Sequence, residues 1–165
     1  MMQRRRDGVA LMECKPKYLK LKSRLTPSQD RMRAEFRPKF DDCLHAVAIV
    51  ADLPASAIVA RGRLQHIVVA RQILVETAMQ VTPLSHCEVA RRMGRDHTTI
   101  LYARSVLATL VQAGDMEIAR YIDDAIAQAI AVAQKRREGE QRIARLTLDD
   151  VARMIYMDRR RRASA

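Results

Sequence analysis

The chain has 165 residues, of which 48% are hydrophobic and only 4% aromatic, so we expect one domain with an aliphatic, helix-forming core and additional segments. No apolar run is long enough for a membrane span or a signal peptide, and three cysteines without a CxxC pair indicate neither a disulfide framework nor a zinc site, as in a protein of the reducing cytoplasm. The net charge of +11 favours a polyanionic partner.

The first segment, residues 1–37, is predicted to be a basic, flexible arm. Residues 1–40 contain 12 Lys and Arg against 4 Asp and Glu. Basic arms attract phosphate irrespective of base sequence, and this attraction weakens steeply with salt. The alternative is a solubilising tail without a specific partner. Within the arm, Thr26-Pro27 favours the start of a short helix, which Pro38 would end.

The central segment, residues 38–134, has the pattern of a helical domain. Apolar residues recur from Phe40 at the spacing of an amphipathic helix, which Pro54 ends. The basic loop Arg61-Gly62-Arg63 precedes a long helix that Pro83 breaks. The expected helices are 40–53, a short turn over 56–61, 64–80, 85–93, 97–111 and one from Asp115 through Ile130.

The last segment, residues 135–165, is predicted to be a basic linker followed by a C-terminal helix. It carries 10 Lys and Arg against 5 Asp and Glu. The run Thr147-Leu148-Asp149-Asp150 is typical of a capped helix start, and the helix is expected to end in Arg159–Arg162. Residues 146–157 are a candidate surface for a protein partner such as RNA polymerase.

Residues 84–107 have the pattern of a helix-turn-helix, in which two short helices meet at a tight turn. Ser85 and Glu88 have the spacing of a capping box at the first helix. Gly94 permits the turn, and Asp96 can cap the second helix.

The second of these helices opens with Asp96-His97-Thr98-Thr99, preceded by Arg95. His and Thr side chains can exchange hydrogen bonds with base edges, and a Thr methyl can touch that of thymine. An ordinary helical hairpin does not require such a polar first turn. No second His lies at ligand spacing and no carboxylate pair is placed for acid–base chemistry, so we predict no metal site, no cofactor and no catalytic residue.

Residues 44–130 resemble the C-terminal DNA-binding domain, domain IV, of the bacterial replication initiator DnaA. The similarity rests on Ala70-Arg71-Gln72, on Leu84-Ser85 with Glu88, and on the run from Gly94 to Ala103. It implies an all-α helical bundle with a DnaA domain IV-like or Trp-repressor-like helix-turn-helix. The chain is expected to be a stand-alone protein with basic N- and C-terminal extensions.

The resemblance also implies a role in DNA binding for each matching residue. Major-groove contacts fall to Arg95, Asp96, His97, Thr98 and Thr99. Minor-groove contacts fall to Arg63, with Arg61 beside it, since a narrow A·T-rich groove attracts arginine. Contacts to phosphate, which position the protein on the duplex, fall to Arg71, Gln72 and Ser85.

No GxxxxGK[ST] phosphate loop occurs in the chain, so we expect no ATPase and no initiator activity. The sequence predicts a non-enzymatic, sequence-specific binder of double-stranded DNA, active at the cytoplasmic nucleoid of a bacterium or in a phage. It would regulate transcription or replication. Two alternatives stay open: a charge-driven binder without sequence preference, and an adaptor that recruits a protein through its C-terminal helix.

Overall fold

The computed structural model describes residues 21–145, 150 and 152–157. All regular structure in these residues is helical, which confirms the predicted all-α bundle. The helices of residues 21–145 are α1 (Pro27–Phe36), α2 (Phe40–Val50), α3 (Ala55–Val59), α4 (Gln65–Val81), α5 (His86–Arg92), α6 (His97–Gln112) and α7 (Met116–Ala144). Residues 150 and 152–157 are also helical. In this part of the chain, no helix combines the length and the apolar character that crossing a membrane requires.

Helix α1 is the short helix that Thr26-Pro27 predicts. Thr26 and Gln29 form a capping box at its start, and it packs against α7. Before it, the guanidinium of Arg24 donates to both carboxylate oxygens of Asp123 on α7, at 2.6 and 2.5 Å. Leu25, Met32 and Phe36 also pack against the core. Residues 24–36 therefore lie against the bundle through apolar contacts and an ion pair that sequence spacing cannot show. Residues 1–20 of the predicted arm lie outside the described residues.

Helix α7 is the longest of the described helices, and it extends into the segment after residue 134 that the composition predicts to be a linker. Asp115 is its N-cap, and Oδ1 of Asp115 accepts a hydrogen bond from the backbone N–H of Ile118 at 3.0 Å. The helix then continues beyond position 134 to Ala144. Arg136 lies 3.1 Å from the buried carboxylate of Asp42 and 3.0 Å from Glu140, so acidic partners hold this part of the basic run in the helix.

The hydrophobic core lies where α7 crosses α2 and α4, with α6 packed on α4 and α7. Its members are aliphatic, as the composition predicts, and the fully buried ones include Val47, Leu74, Leu107, Ile122, Ile126 and Ile130. Burying an isoleucine or leucine side chain stabilises the fold by about 1.5–3 kcal/mol. The core therefore fixes the positions of α4 and α6 relative to each other and to α7.

A buried ion pair joins α4 to α6 inside this core. The carboxylate of Glu76 is fully buried and accepts hydrogen bonds from Arg104 at 2.8 and 3.3 Å, and from Gln80 at 2.8 Å. Arg104 also places its Nη1 3.1 Å from Nε2 of His86, the first residue of α5. The guanidinium of Arg104 on α6 thus contacts one side chain of α4 and one of α5.

The predictions for the C-terminal segment fall largely outside the described part of the chain. The cap predicted at residues 147–149 and the helix end at Arg159–Arg162 lie outside the described residues. Residues 152–157 are exposed and include Met154, Ile155 and Tyr156. A protein partner at residues 146–157 stays a prediction.

Candidate nucleic-acid interface

Helices α5 and α6 meet at the turn that Gly94 makes. Ser85 Oγ accepts from the backbone N–H of Glu88 at 3.3 Å, and Glu88 Oε2 accepts from that of Ser85 at 2.7 Å. Met93 ends α5 and is buried, whereas Gly94 has a φ of +59°, in the left-handed region that a side chain disfavours. The helix-turn-helix therefore starts, turns and restarts at the residues that the sequence indicates.

The polar first turn of α6 is exposed, while the next residue is buried. Asp96, His97, Thr98 and Thr99, which we name the reading head, all face solvent. Ile100, one residue later, is 1% exposed. The helix is thus anchored directly behind four side chains that contribute little to the core.

Asp96 organises the reading head through its carboxylate. Oδ1 accepts from the backbone N–H of Thr98 at 2.8 Å and from the Thr98 hydroxyl at 2.6 Å. Nδ1 of His97 lies 3.5 Å from the same oxygen. Asp96 therefore acts as the N-cap of α6, and it holds the two side chains that follow it.

The cap gives a testable dependence on pH. Hydrogen bonds from Thr98, aided by the charge of His97, lower the pKa of Asp96. A carboxylate whose pKa falls on folding stabilises the fold above its unfolded pKa of about 3.9, and this stabilisation is lost as the pH falls through the folded value. Asp96→Ala should lower the melting temperature at pH 7, and its difference from wild type should shrink below about pH 4.

Thermal melts followed by circular dichroism between pH 2 and pH 7 measure this effect. Asp96→Asn is the matched control, because it keeps an accepting oxygen and removes the charge. It should retain most of the cap at pH 7 and lose its part of the pH dependence. Equal melting temperatures for Asp96→Ala and wild type at pH 7 would contradict the cap.

The basic loop, residues 60–64, connects α3 to α4 and carries Arg61 and Arg63 on its surface. The side chains of both arginines are exposed. The loop follows the five-residue helix α3, whose last backbone carbonyls have no helical residue after them to donate to them.

Arg71, on α4, donates hydrogen bonds to backbone carbonyls of both α3 and the loop. Its Nε donates to Ile58 O at 2.9 Å, and its Nη2 donates to Ala60 O at 2.6 Å and to Gly62 O at 3.2 Å. Burial and the neighbouring charge of Arg95 lower the pKa of Arg71. The resemblance implies a phosphate contact for this arginine, yet its bonds are directed to the loop.

Arg95 connects the turn to the same loop. Its Nη2 donates to Ala60 O at 2.9 Å, across 35 positions of sequence. The side chain is half-buried, so it is less free to reach DNA than the sequence suggests. The bond brings the basic loop and the start of the reading head into one region of the surface.

Of the remaining predicted contacts, Ser85 is exposed and Gln72 is half-buried. Sequence reasoning passed over Arg91 and Arg92, two exposed arginines in the last turn of α5. Arg92 lies 5.9 Å from the ring centre of Phe40, a cation–π contact. The adjacent arginines are visible in the sequence, but their exposure is not.

The part of the chain that contains this interface is similar in sequence to known proteins. Residues 40–106 match the family model of the bacterial dnaA protein helix-turn-helix. The chromosomal replication initiator protein DnaA of Agrobacterium fabrum (strain C58) is 33% identical over 88 residues. These residues are 53% of this chain and 18% of the initiator, so the chain spans less than a fifth of that relative. The family match includes the basic loop, the turn and the reading head.

Proposed function

We propose, from the DnaA-type DNA-binding helix-turn-helix domain that residues 40–106 carry, that this protein binds double-stranded DNA in a sequence-specific manner. The observation that supports this most strongly is the exposed reading head on a helix anchored by Ile100, with a basic loop bonded to the adjacent turn. Base readout needs polar side chains on a rigid element, and this arrangement provides them.

In the proposed complex, the N-terminal end of α6 enters the major groove. His97, Thr98 and Thr99 contact base edges, and Asp96 supports them as the cap. Leu107 is fully buried on the same helix, so the orientation of α6 is set by the core before DNA binds. The positive end of the helix dipole also faces the polyanion favourably.

Arg63 and Arg61 are the proposed minor-groove contacts. Both are exposed, and both lie on a loop whose backbone is held by hydrogen bonds from α4. A narrow A·T-rich groove has an enhanced negative potential that favours an inserted arginine. Gln72 and Ser85 complete the proposal as phosphate contacts, which position the protein without reading bases.

The regulatory role is part of the same proposal. The sequence has no phosphate-loop motif, so we expect DNA binding without ATP hydrolysis. A protein of this kind, acting on DNA in the nucleoid, would control transcription or compete with an initiator for its sites. Selection of an initiator's own sites would support replication control, whereas an unrelated motif would support control of transcription.

Selection of sites from a random duplex pool, followed by substitution in the reading head, tests the proposal. His97→Ala and Thr98→Ala should each lose about 1–3 kcal/mol of discrimination at the bases they contact. Thr109→Ala is the matched control, since Thr109 is also exposed on α6 but lies three turns from the head. It should leave the preference intact. Dissociation constants on the selected site and on single-base variants measure the effect.

The same experiment separates the charge-driven alternative. If the wild-type protein shows no preference in the pool, or if a His97/Thr98 double variant keeps the full preference, specific readout by this head is wrong. A charge-driven binder would bind all duplexes alike, with an affinity that falls steeply with salt.

A further inference from the structure

We infer that Arg71 and Arg95 are positioning residues that hold the basic loop at a fixed place relative to the reading head. Together with the carbonyl oxygens of Ile58, Ala60 and Gly62, they form what we name the loop clamp. The inference rests on the proposed DNA-binding function. It gives Arg71 a role that differs from the direct phosphate contact implied by resemblance.

The clamp converges on one backbone atom. Ala60 O accepts from Arg71 at 2.6 Å and from Arg95 at 2.9 Å. A carbonyl oxygen has two lone pairs, so both are in use. One donor comes from α4 and the other from the turn before α6, and the loop is therefore bonded to both at the same point.

The geometry requires arginine. Arg71 donates to three carbonyls through Nε and Nη2, which lie at fixed angles in a planar group. Lysine carries the same charge at a single flexible atom and cannot reproduce this set of bonds. Ala70 and Leu74, close to Arg71 on α4, are buried, so the guanidinium projects from a helix that the core holds in place.

The clamp bears directly on Arg61 and Arg63. Carbonyls of Ala60 and Gly62 are bonded on either side of Arg61, and Arg63 follows at once. A loop that is ordered before binding avoids the entropic cost of fixing its backbone on DNA. The basic loop, which supplies the minor-groove contacts, and the reading head, which supplies the major-groove contacts, then keep a fixed distance from each other.

The two roles for Arg71 predict different patterns in a duplex-pool selection. If Arg71 acts through the loop, Arg71→Lys and Arg71→Ala should both lose preference at the base pairs that Arg63→Ala affects. The expected loss is about five- to hundredfold at those positions. Arg95→Lys should show the same pattern. Arg120→Lys on α7 is the control for the chemical change, because Arg120 is highly exposed and lies outside the proposed interface.

A direct phosphate contact would give the opposite result. Arg71→Ala would weaken binding to all sequences by one factor, and Arg71→Lys would restore most of the affinity. That outcome overturns the inference for Arg71. Loss of preference at the base pairs read by His97, instead of those read by Arg63, overturns it for Arg95.

Hydrogen exchange of the free protein tests the clamp without DNA. Peptides that cover residues 60–64 should exchange faster in Arg71→Lys than in wild type, while peptides from α7 should not change. Unchanged exchange in the loop would refute the clamp. If the wild-type protein selects no sequence, the proposed function fails, but this exchange result still stands or falls by itself.

Discussion

Arg104→Ala is expected to destabilise the fold by about 3–5 kcal/mol. The variant leaves the fully buried carboxylate of Glu76 with Gln80 in place of a charged partner. A buried charge without a counter-charge is costly, and the total stability of a domain is only about 5–15 kcal/mol. Urea denaturation should show a much lower midpoint, or a protein that is already largely unfolded at 25 °C.

Two controls separate loss of the charge pair from loss of packing. The double variant Glu76→Leu with Arg104→Met removes both charges, and replacement of a buried pair by apolar side chains is often neutral or stabilising. Arg120→Ala breaks an exposed pair with Asp124 and should change stability by less than about 1 kcal/mol. A midpoint for Arg104→Ala equal to that of Arg120→Ala would show that the pair does not hold α4 to α6.

Ile126→Ala should cost about 2–5 kcal/mol. Ile126 is 1% exposed and lies on α7, beyond residues 40–106 that match the helix-turn-helix family. The cost arises because the neighbouring core closes the resulting cavity only in part. We expect α7 and α6 to unfold in a single transition, so that DNA binding is lost at the same urea concentration as helicity.

Ile143→Ala is the matched control for this cavity. Ile143 is on the same helix but 70% exposed, so its removal should change the free energy of unfolding by less than about 0.5 kcal/mol. Circular dichroism and DNA binding, followed in parallel through the transition, measure both variants. Two separate transitions in Ile126→Ala would mean that α6 is stable without α7.

Local features of the fold could be predicted from the sequence because their causes lie within a few residues. The capping box at Ser85, the caps at Asp96 and Asp115, and the left-handed Gly94 all depend on neighbours in sequence. The helix bounds from Gln65 to Gln112 follow to within one residue from these signals and from apolar spacing. The exposed reading head follows in the same way. The predicted end of the first core helix at Pro54 is wrong, because α2 ends at Val50 and Asp52 then has a left-handed φ of +51°.

Features that depend on distant pairs could not be predicted. The basic residues after Gln134 indicate a linker by composition, yet Arg136 pairs with Asp42 at a separation of 94 residues and α7 continues. Arg95 looks free beside the reading head, but its partner is a backbone carbonyl 35 residues earlier. Spacing patterns contain no information on such contacts. The roles of these two arginines therefore could not be predicted correctly from the sequence.

Helix α6 divides its two tasks between opposite faces. Ile100 and Leu107 are buried against the bundle, whereas Thr98 and Tyr102, one turn apart on the other side, are exposed. Side chains on the outer face can therefore be exchanged at little cost to stability. A library randomised at positions 97, 98, 99 and 102 should consist mostly of folded proteins, which makes this scaffold a starting point for redirecting a small DNA-binding domain to new target sites.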